Sequence, residues 1–455
     1  MGRLFGTNGV RGVVNRDLTV EKVTQLAASV GTFLGNEIAL GRDGRTSSPM
    51  FRDAVVGGLL SVGCRVHDAG MLPTPALQYT VRNLGLDGGV MITASHNPPQ
   101  FNGLKVMAAD GVEVSREQEA EIEDIFFRRA YETKPWNSLG SVVETDGIGP
   151  YRKAIINHID VDIVRKARLK VAIDPGNGVA SLVAPSIAGD LGCSVYTINV
   201  DVDGSFPGRE SEPRPENLGG LRALVEASGA DLGVAFDGDG DRSIFVDERG
   251  EVHWGDRSFA LVAREFVGEN PGARVATPVS SSRVIQDVVA KGGGEVVWTE
   301  VGSVVVSRTM VNEGLSLGGE ENGGIMYGPH IETRDGSMAL ALILEIMAKS
   351  GKTLSELFGE LPQYRQMKDR VACPEGLKAR TLEILSQSVD APEVDTIDGL
   401  KLVYPDGSWI LVRPSGTEPI FRLYAEAGSD ERVSELVDEH KVLIERAVQE
   451  AGDEN

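Results

Sequence analysis

The chain is poor in cysteine, in positive charge and in long apolar runs, and each shortage excludes a class of protein. Its three cysteines, Cys64, Cys193 and Cys373, are odd in number and far apart, with no metal-type spacing. That pattern excludes a disulfide framework and predicts reduced, buried thiols in a cytoplasmic protein. Acidic residues outnumber basic ones 67 to 45, for a net charge of −22. A surface of that sign repels nucleic-acid backbones and anionic membranes, so neither is expected as a partner. No uncharged apolar run reaches membrane-spanning length, the opening residues carry no apolar signal core, and low-complexity tracts are absent. A soluble, cytoplasmic protein is expected.

At 455 residues the chain is too long for one ordinary domain. An apolar fraction of 41% supports real cores, and 55 glycines suit a loop-rich α/β protein better than a helical bundle. One pattern recurs three times: strand, helix, a Gly turn, strand, helix, closing strand. Its first strands are Ile38–Leu40, Leu169–Ile173 and Arg274–Thr277, and its turns contain Gly63, Gly192 and Gly294. Alternating strands and helices predict three similar three-layer α/β domains with mixed, mostly parallel sheets. The last stretch differs. Leu400–Tyr404, Asp406-Gly407 and Trp409–Val412 read as a hairpin, Phe421–Glu426 as a further strand, and Ser429 as the N-cap of a final helix. That unit is predicted to be α+β. The expected domains are 1–150, 151–248, 249–364 and 365–455, with a linker over Lys134–Ser138 and Asp146–Pro150 leading to a helix near Tyr151–His158.

Each of the three repeats ends in a polar loop of different chemistry. Ser95 follows the apolar run Gly89–Ile92 and precedes Asn97-Pro98-Pro99, a stiff turn that displays a hydroxyl. Serine is a weak nucleophile and needs a base or a metal to act. His96 beside it is read as a loop-shaping or phosphate-contacting group, with proton transfer as the other reading. Asp237, Asp239 and Asp241 alternate with glycines, which lets three hard oxygen ligands converge on one cation. An EF-hand is excluded, because counting from Asp237 puts Arg242 where that loop requires glycine. Mg²⁺, which accepts a phosphate oxygen as a further ligand, suits the set, with phosphorylated Ser95 completing it. The third loop carries Glu320, Glu321 and Asn322; its carboxylates suit sugar hydroxyls or an amino group rather than phosphate. In the last unit Arg413, Ser415, Gly416 and Thr417 combine a guanidinium fork, hydroxyls and freed backbone N–H groups, a cradle for a phosphate dianion. Arg42 and Arg45 read as a structural ion-pair turn. Ligands gather at strand carboxyl ends in such sheets, so the loops are expected to share one cleft.

These four motifs, in this order, resemble the α-D-phosphohexomutase superfamily along essentially the whole chain. The resemblance implies a heart-shaped, four-domain enzyme with one loop per domain around a central cleft. It implies that Ser95 works as a phosphoserine, primed by a sugar 1,6-bisphosphate, and that Ser95, Asp237, Asp239 and Asp241 hold one Mg²⁺. Lys105 and Arg11 resemble the family's residues near the reacting oxygens, with Lys105 as general acid/base; Arg242 joins the substrate-binding set. The opening Leu4–Gly12 looks most like the glucosamine-phosphate branch. The sugar loop departs from it: Glu321, Asn322 and Gly324 stand where that branch usually has Gln, Ser and His, a form similar to archaeal phosphosugar mutases. The expected reaction is interconversion of glucosamine 6-phosphate and glucosamine 1-phosphate, by a monomer or homodimer. A glucose/mannose phosphomutase, a Mg²⁺-dependent sugar phosphatase and a non-catalytic sugar-phosphate sensor are the alternatives.

Overall fold

The computed structural model describes residues 4–6, 8–388, 393–416 and 418–453; Thr417 of the phosphate motif and Thr7 of the opening motif lie outside them. Three sheets share a four-strand order; beyond it the second and third add the next strand of the chain, and the first adds the N-terminal Val10–Val13 at one edge and a sixth strand at the other. In the first, Arg65–Met71, Glu37–Arg42 and Gly88–Ile92 run parallel, followed by antiparallel Phe101–Ala108 and Val10–Val13. In the second, Ser194–Thr197, Lys170–Asp174 and Leu232–Phe236 run parallel, followed by antiparallel Ser243–Asp247 and Val252–His253. The third repeats the order with Glu295–Thr299, Arg274–Pro278 and Leu317–Gly319, then Ile325–Tyr327 and Ile331–Arg334. The parallel half follows from the helical crossovers Ser48–Ser61, Ala184–Asp190 and Arg283–Lys291, since parallel neighbours cannot be joined by a tight turn. The antiparallel half arises because each third strand turns straight back through a short polar loop. Those loops are the three motifs.

Gly88–Ile92, Leu232–Phe236 and Ser243–Asp247 are buried at every residue, as expected for strands covered on both faces. The turn before each second strand needs a left-handed residue, supplied by Gly63 (φ 92°) and Gly192 (φ 89°). In the third repeat that residue is Gly293, one position before the expected Gly294. One continuous core runs through the first three domains, threaded by the helix Gly336–Ser350, of which eleven residues are buried.

The fourth domain is antiparallel throughout: Arg365–Ala372, Ile420–Ala427, Trp409–Pro414, Leu400–Val403 and Glu393–Asp395 in that order. Helices Lys378–Ser388 and Asp430–Asp453 cover one face and enclose a separate core. Ser429 caps the last helix, accepting from the Arg432 N–H at 3.2 Å. The contact with the third domain includes a small cluster of Val279, Trp409, Leu411 and Tyr424. Two sequence readings change. Between the two stretches read as linker lies the strand Ser141–Glu144, paired parallel to Arg65–Met71, and the following helix starts earlier, at Ile148, inside the second stretch. Cys193 is only half-buried, because the strand it precedes lies at a sheet edge; Cys64 and Cys373 are buried, and all three thiols are free. Among the described residues no helix is long and apolar enough to cross a membrane.

Candidate active site

Ser95 lies in the reversal between Gly88–Ile92 and Phe101–Ala108 and adopts a left-handed backbone with φ 50°. For serine that conformation is strained by about 1–2 kcal/mol, so its surroundings must hold it. Its N–H donates to Thr93 Oγ1 at 2.8 Å, and its carbonyl accepts from Arg45 Nη2 at 2.7 Å. Arg45, 1% exposed, also donates to the carbonyls of Asn97 (2.6 Å), Pro98 (2.8 Å) and Phe101 (3.0 Å) while its Nε pairs with Asp43. The pair expected as a structural turn thus cages the serine loop. From the second domain, Ser211 Oγ donates to the carbonyls of His96 and Asn97. Gly238 allows the two loops to meet, since a Cβ there would lie 2.6 Å from Ser95 O.

This packing brings Ser95 Oγ within 2.7 Å of Asp237 Oδ2, to which it donates. Asp237, Asp239 and Asp241 are buried, with one carboxylate oxygen of each within 4.8 Å of the others. Burial and then the neighbouring Asp239 and Asp241 push the Asp237 carboxyl well above its usual range. Burial also opposes charge on Asp239, but Lys105 outweighs it and holds that carboxyl below its usual range. Asp241 is held low against burial chiefly by Arg334. Lys105 Nζ donates to Asp239 Oδ2 (2.7 Å) and Asp241 Oδ2 (2.8 Å), Thr74 Oγ1 to Asp239 Oδ2 (2.6 Å), and Arg334 Nη2 to Asp241 Oδ2 (2.6 Å). Asp239 Oδ1 and Asp241 Oδ1 are buried with no hydrogen-bond partner. Two orphaned carboxylate oxygens beside a third carboxylate fit a hard divalent cation.

The serine and aspartate loops border a cleft of about 940 Å³. Ser95 is itself fully buried; His96, Asn97 and Arg11 form the adjoining wall. Arg11 Nη1 donates to Asn97 Oδ1 at 2.8 Å and to Ala94 O at 3.2 Å. His96 Nδ1 lies 3.3 Å from Ser95 Oγ, and burial, then Arg242 and Arg11, lower its pKa well below the ordinary value, leaving a neutral imidazole. Arg242, Glu320, Glu321 and Asn322 line the cleft as the sequence predicts. Glu320 meets Arg334 Nη1 at 3.2 Å, Glu321 pairs with Lys368, and Asn322 Oδ1 accepts from the Gly324 N–H at 3.3 Å. Burial raises the Glu320 carboxyl.

The phosphate motif is placed differently. Arg413, Ser415 and Gly416 do not line this cleft. Arg413 Nε instead donates to Asp398 Oδ2 at 2.6 Å, and Ser415 O accepts from Lys378 Nζ at 2.5 Å. The fourth domain faces the cleft with Gln366, Lys368, Arg422 and Tyr424. Sequence reasoning missed these, and also Thr74 and Arg334, which lie outside the glycine-rich loops; Arg45 it read as a structural ion pair. Among the described residues, six cationic side chains line the cleft (Arg11, Arg214, Arg242, Arg334, Lys368, Arg422) against four carboxylates, Glu212, Glu216, Glu320 and Glu321. A chain of strongly negative net charge therefore has a cation-rich cavity, suited to a doubly phosphorylated ligand.

Fold and cleft together define a phosphohexose mutase, an enzyme that moves a phosphoryl group within a sugar phosphate. Models of the four phosphoglucomutase/phosphomannomutase domains match in order: α/β/α domain I over residues 2–133, domain II over 149–250, domain III over 254–364 and the C-terminal domain over 370–441. The chain belongs to this family. It is 42% identical to a phosphoglucomutase/phosphomannomutase of Thermococcus kodakarensis, with 98% of this chain and 100% of the relative covered. It is 45% identical, with the same coverage, to a phosphoglucosamine/phosphogalactosamine mutase of Sulfurisphaera tokodaii. A family structure from Burkholderia thailandensis superposes with a TM-score of 0.88 at 30% identity, over 98% of this chain and 97% of that one.

Proposed function

We propose that Ser95 carries the phosphoryl group in a mutase cycle acting on hexose 1- and 6-phosphates. The observation that supports this most is the 2.7 Å contact between Ser95 Oγ and the aspartate trio. In the first half-reaction the Ser95 Oγ–P bond breaks and a bond forms from phosphorus to the free hydroxyl of the hexose phosphate. Against burial, Asp239 and Asp241 hold Lys105 as an ammonium, so as general acid/base it would first give a proton to the departing Ser95 Oγ and then, once neutral, take the proton of that hydroxyl. The product is a hexose 1,6-bisphosphate, which turns over in the cleft and returns its other phosphoryl group to Ser95. Asp237, Asp239 and Asp241 would hold Mg²⁺, which offsets charge on a transferring phosphoryl group. The protein's share is positioning: Arg45 and Thr93 fix the serine, Arg11 and Arg242 supply positive charge, and Glu320, Glu321 and Asn322 meet sugar hydroxyls. The nonreacting phosphate falls to Arg413, Ser415, Gly416 and Thr417, which requires that loop to move to the cleft and Arg413 to leave Asp398.

Glucosamine phosphate is the proposed substrate, with glucose or mannose phosphate as the second reading; the family's relatives carry both kinds of name. Turnover of glucosamine, glucose and mannose 1-phosphates compared side by side decides between them. The serine role is tested by intact mass before and after treatment with hexose 1,6-bisphosphate, and by Ser95→Ala. Expected are one added phosphoryl group on the wild type, none on the variant, and loss of turnover with the fold retained. Appreciable activity in Ser95→Ala, or inorganic phosphate released in step with substrate loss, overturns the reading.

A further inference from the structure

The strand Ile331–Arg334 closes the third sheet directly behind the sugar loop. Its last residue, Arg334, is 6% exposed and borders the cleft. Nη1 donates to Glu320 Oε2 at 3.2 Å and Nη2 to Asp241 Oδ2 at 2.6 Å. Glu320 belongs to the third domain's loop and Asp241 to the second's, so one guanidinium spans both. Its stem rests on Gly324, where an added Cβ would lie 2.3 Å from Arg334 Cδ and 2.8 Å from Cγ. A side chain at 324 and Arg334 in this pose exclude each other. Backbone bonds at their edges also tie the two domains: Ser243 N–H, just after the aspartate loop, to Gly323 O at 3.1 Å, and Gly336 N–H, at the start of the helix after Arg334, to Gly240 O at 3.3 Å.

We propose that Arg334 is a positioning residue that locks the sugar loop to the aspartate loop, and that glycine at 324 makes the room it needs. The Glu320 half of this inference rests on the hexose-contact reading above; the Asp241 half does not. A planar fork can engage two carboxylates at once, whereas an ammonium is a single point charge. With Oδ2 of Asp241 taken by Arg334 and Lys105, Oδ1 has no hydrogen-bond partner among the described residues; Arg242 Nε stands 3.8 Å from it, and a cation would take its place as the close partner. Two effects of opposite sign follow. A guanidinium beside a cation site repels the incoming cation. The same guanidinium fixes Glu320 for the sugar. Removing it tightens the cation and loosens the sugar, while a variant that misfolds loosens both.

Arg334→Met keeps an apolar stem on Gly324 and removes the fork. Calorimetric titration with Mg²⁺ should show binding tighter by roughly threefold or more. The KM for the preferred hexose 1-phosphate, found from glucosamine and glucose 1-phosphates, should rise roughly tenfold. Arg334→Lys should return the Mg²⁺ affinity but not the KM. Gly324→Ala should raise KM as Arg334→Met does, and combining it with Arg334→Ala should cost no more than either change alone. Weaker binding of both ligands, or no change in either, overturns the proposal. Tighter Mg²⁺ with an unchanged KM overturns the Glu320 half alone. A wild-type chain that converts no hexose phosphate overturns the functional reading instead, and the Mg²⁺ titration still decides the Asp241 contact.

Discussion

Asp398 and Arg413 are joined by a 2.6 Å bond from Arg413 Nε to Asp398 Oδ2, and that same oxygen accepts the Val301 N–H at 2.9 Å. One carboxylate therefore ties the fourth domain's phosphate arginine to a segment of the third domain that lines the cleft. If Arg413 binds the nonreacting phosphate as proposed, that phosphate and Asp398 compete for one guanidinium. Asp398→Asn keeps the shape and removes the competing charge, so KM for hexose phosphate should fall, by no more than about tenfold for a partly exposed pair. Arg413→Ala should raise it by about 1–3 kcal/mol, the worth of a charge-assisted phosphate contact. Steady-state kinetics check both, and an unchanged KM in Arg413→Ala removes that loop from the site.

Arg45 is a second place where one side chain sets function at a distance. Arg45→Ala leaves the Asp43 carboxylate buried without its ion pair, a loss of about 3–5 kcal/mol. It also takes a donor from four carbonyls of the serine loop, of which Asn97 O keeps Ser211 and Pro98 O keeps the Phe101 N–H. Thermal melts should drop, and kcat should fall more than KM rises. Arg45→Lys should rescue little, because an ammonium cannot reach four carbonyls.

Asp256 gives a pH dependence of stability. It is 2% exposed, accepts from Ser282 N–H and Gln366 Nε2, and burial, then Glu321, raise its carboxyl to about 7 from an ordinary value of 3.8. The folded chain holds this proton more tightly than the unfolded chain, so its stabilising contribution is whole below the unfolded pKa. It is lost as pH rises toward the folded value, by an amount on the order of 4 kcal/mol. Asp256→Asn cannot titrate, so the melting difference between variant and wild type should shift in the variant's favour from pH 4 to 8. A constant difference contradicts the assignment.

The aspartate trio should make stability depend on divalent cation. An ion that binds only the folded chain adds about 2.7 kcal/mol at a hundredfold excess over its Kd. Mg²⁺ should raise the melting temperature of the wild type, chelator should reverse the rise, and Asp237→Asn with Asp239→Asn should abolish it. An equal rise in the double variant places the ion elsewhere.

Much of this was legible in the residues. The Asp-Gly alternation and the Ser95 turn announced their chemistry because glycine and proline mark backbone reversals whatever surrounds them. Spacing of Gly63 and Gly192 exposed the repeat. Other features depend on tertiary contact and leave little local trace. Ser141–Glu144 is too short and too polar to stand out, and becomes a strand only because Arg65–Met71 offers an open edge. Arg334 sits just before the Asp335 cap of a helix, where the pattern predicts a helix start but says nothing of a side chain turned toward Asp241. Arg413 carried the right chemistry, yet its partner, Asp398, lies across a hairpin and outside the motif.

Serine, aspartate and sugar loops occupy the same hairpin in three copies of one sheet, so each task has its own scaffold. On the proposed reading, drift in the third hairpin retunes which hexose is accepted, and through Arg334 it also reaches Asp241 in the machinery of transfer. Chains of this design can diversify by rewriting a few residues at one bend, and Gly324 beside Arg334 marks where such a rewrite would leave its trace.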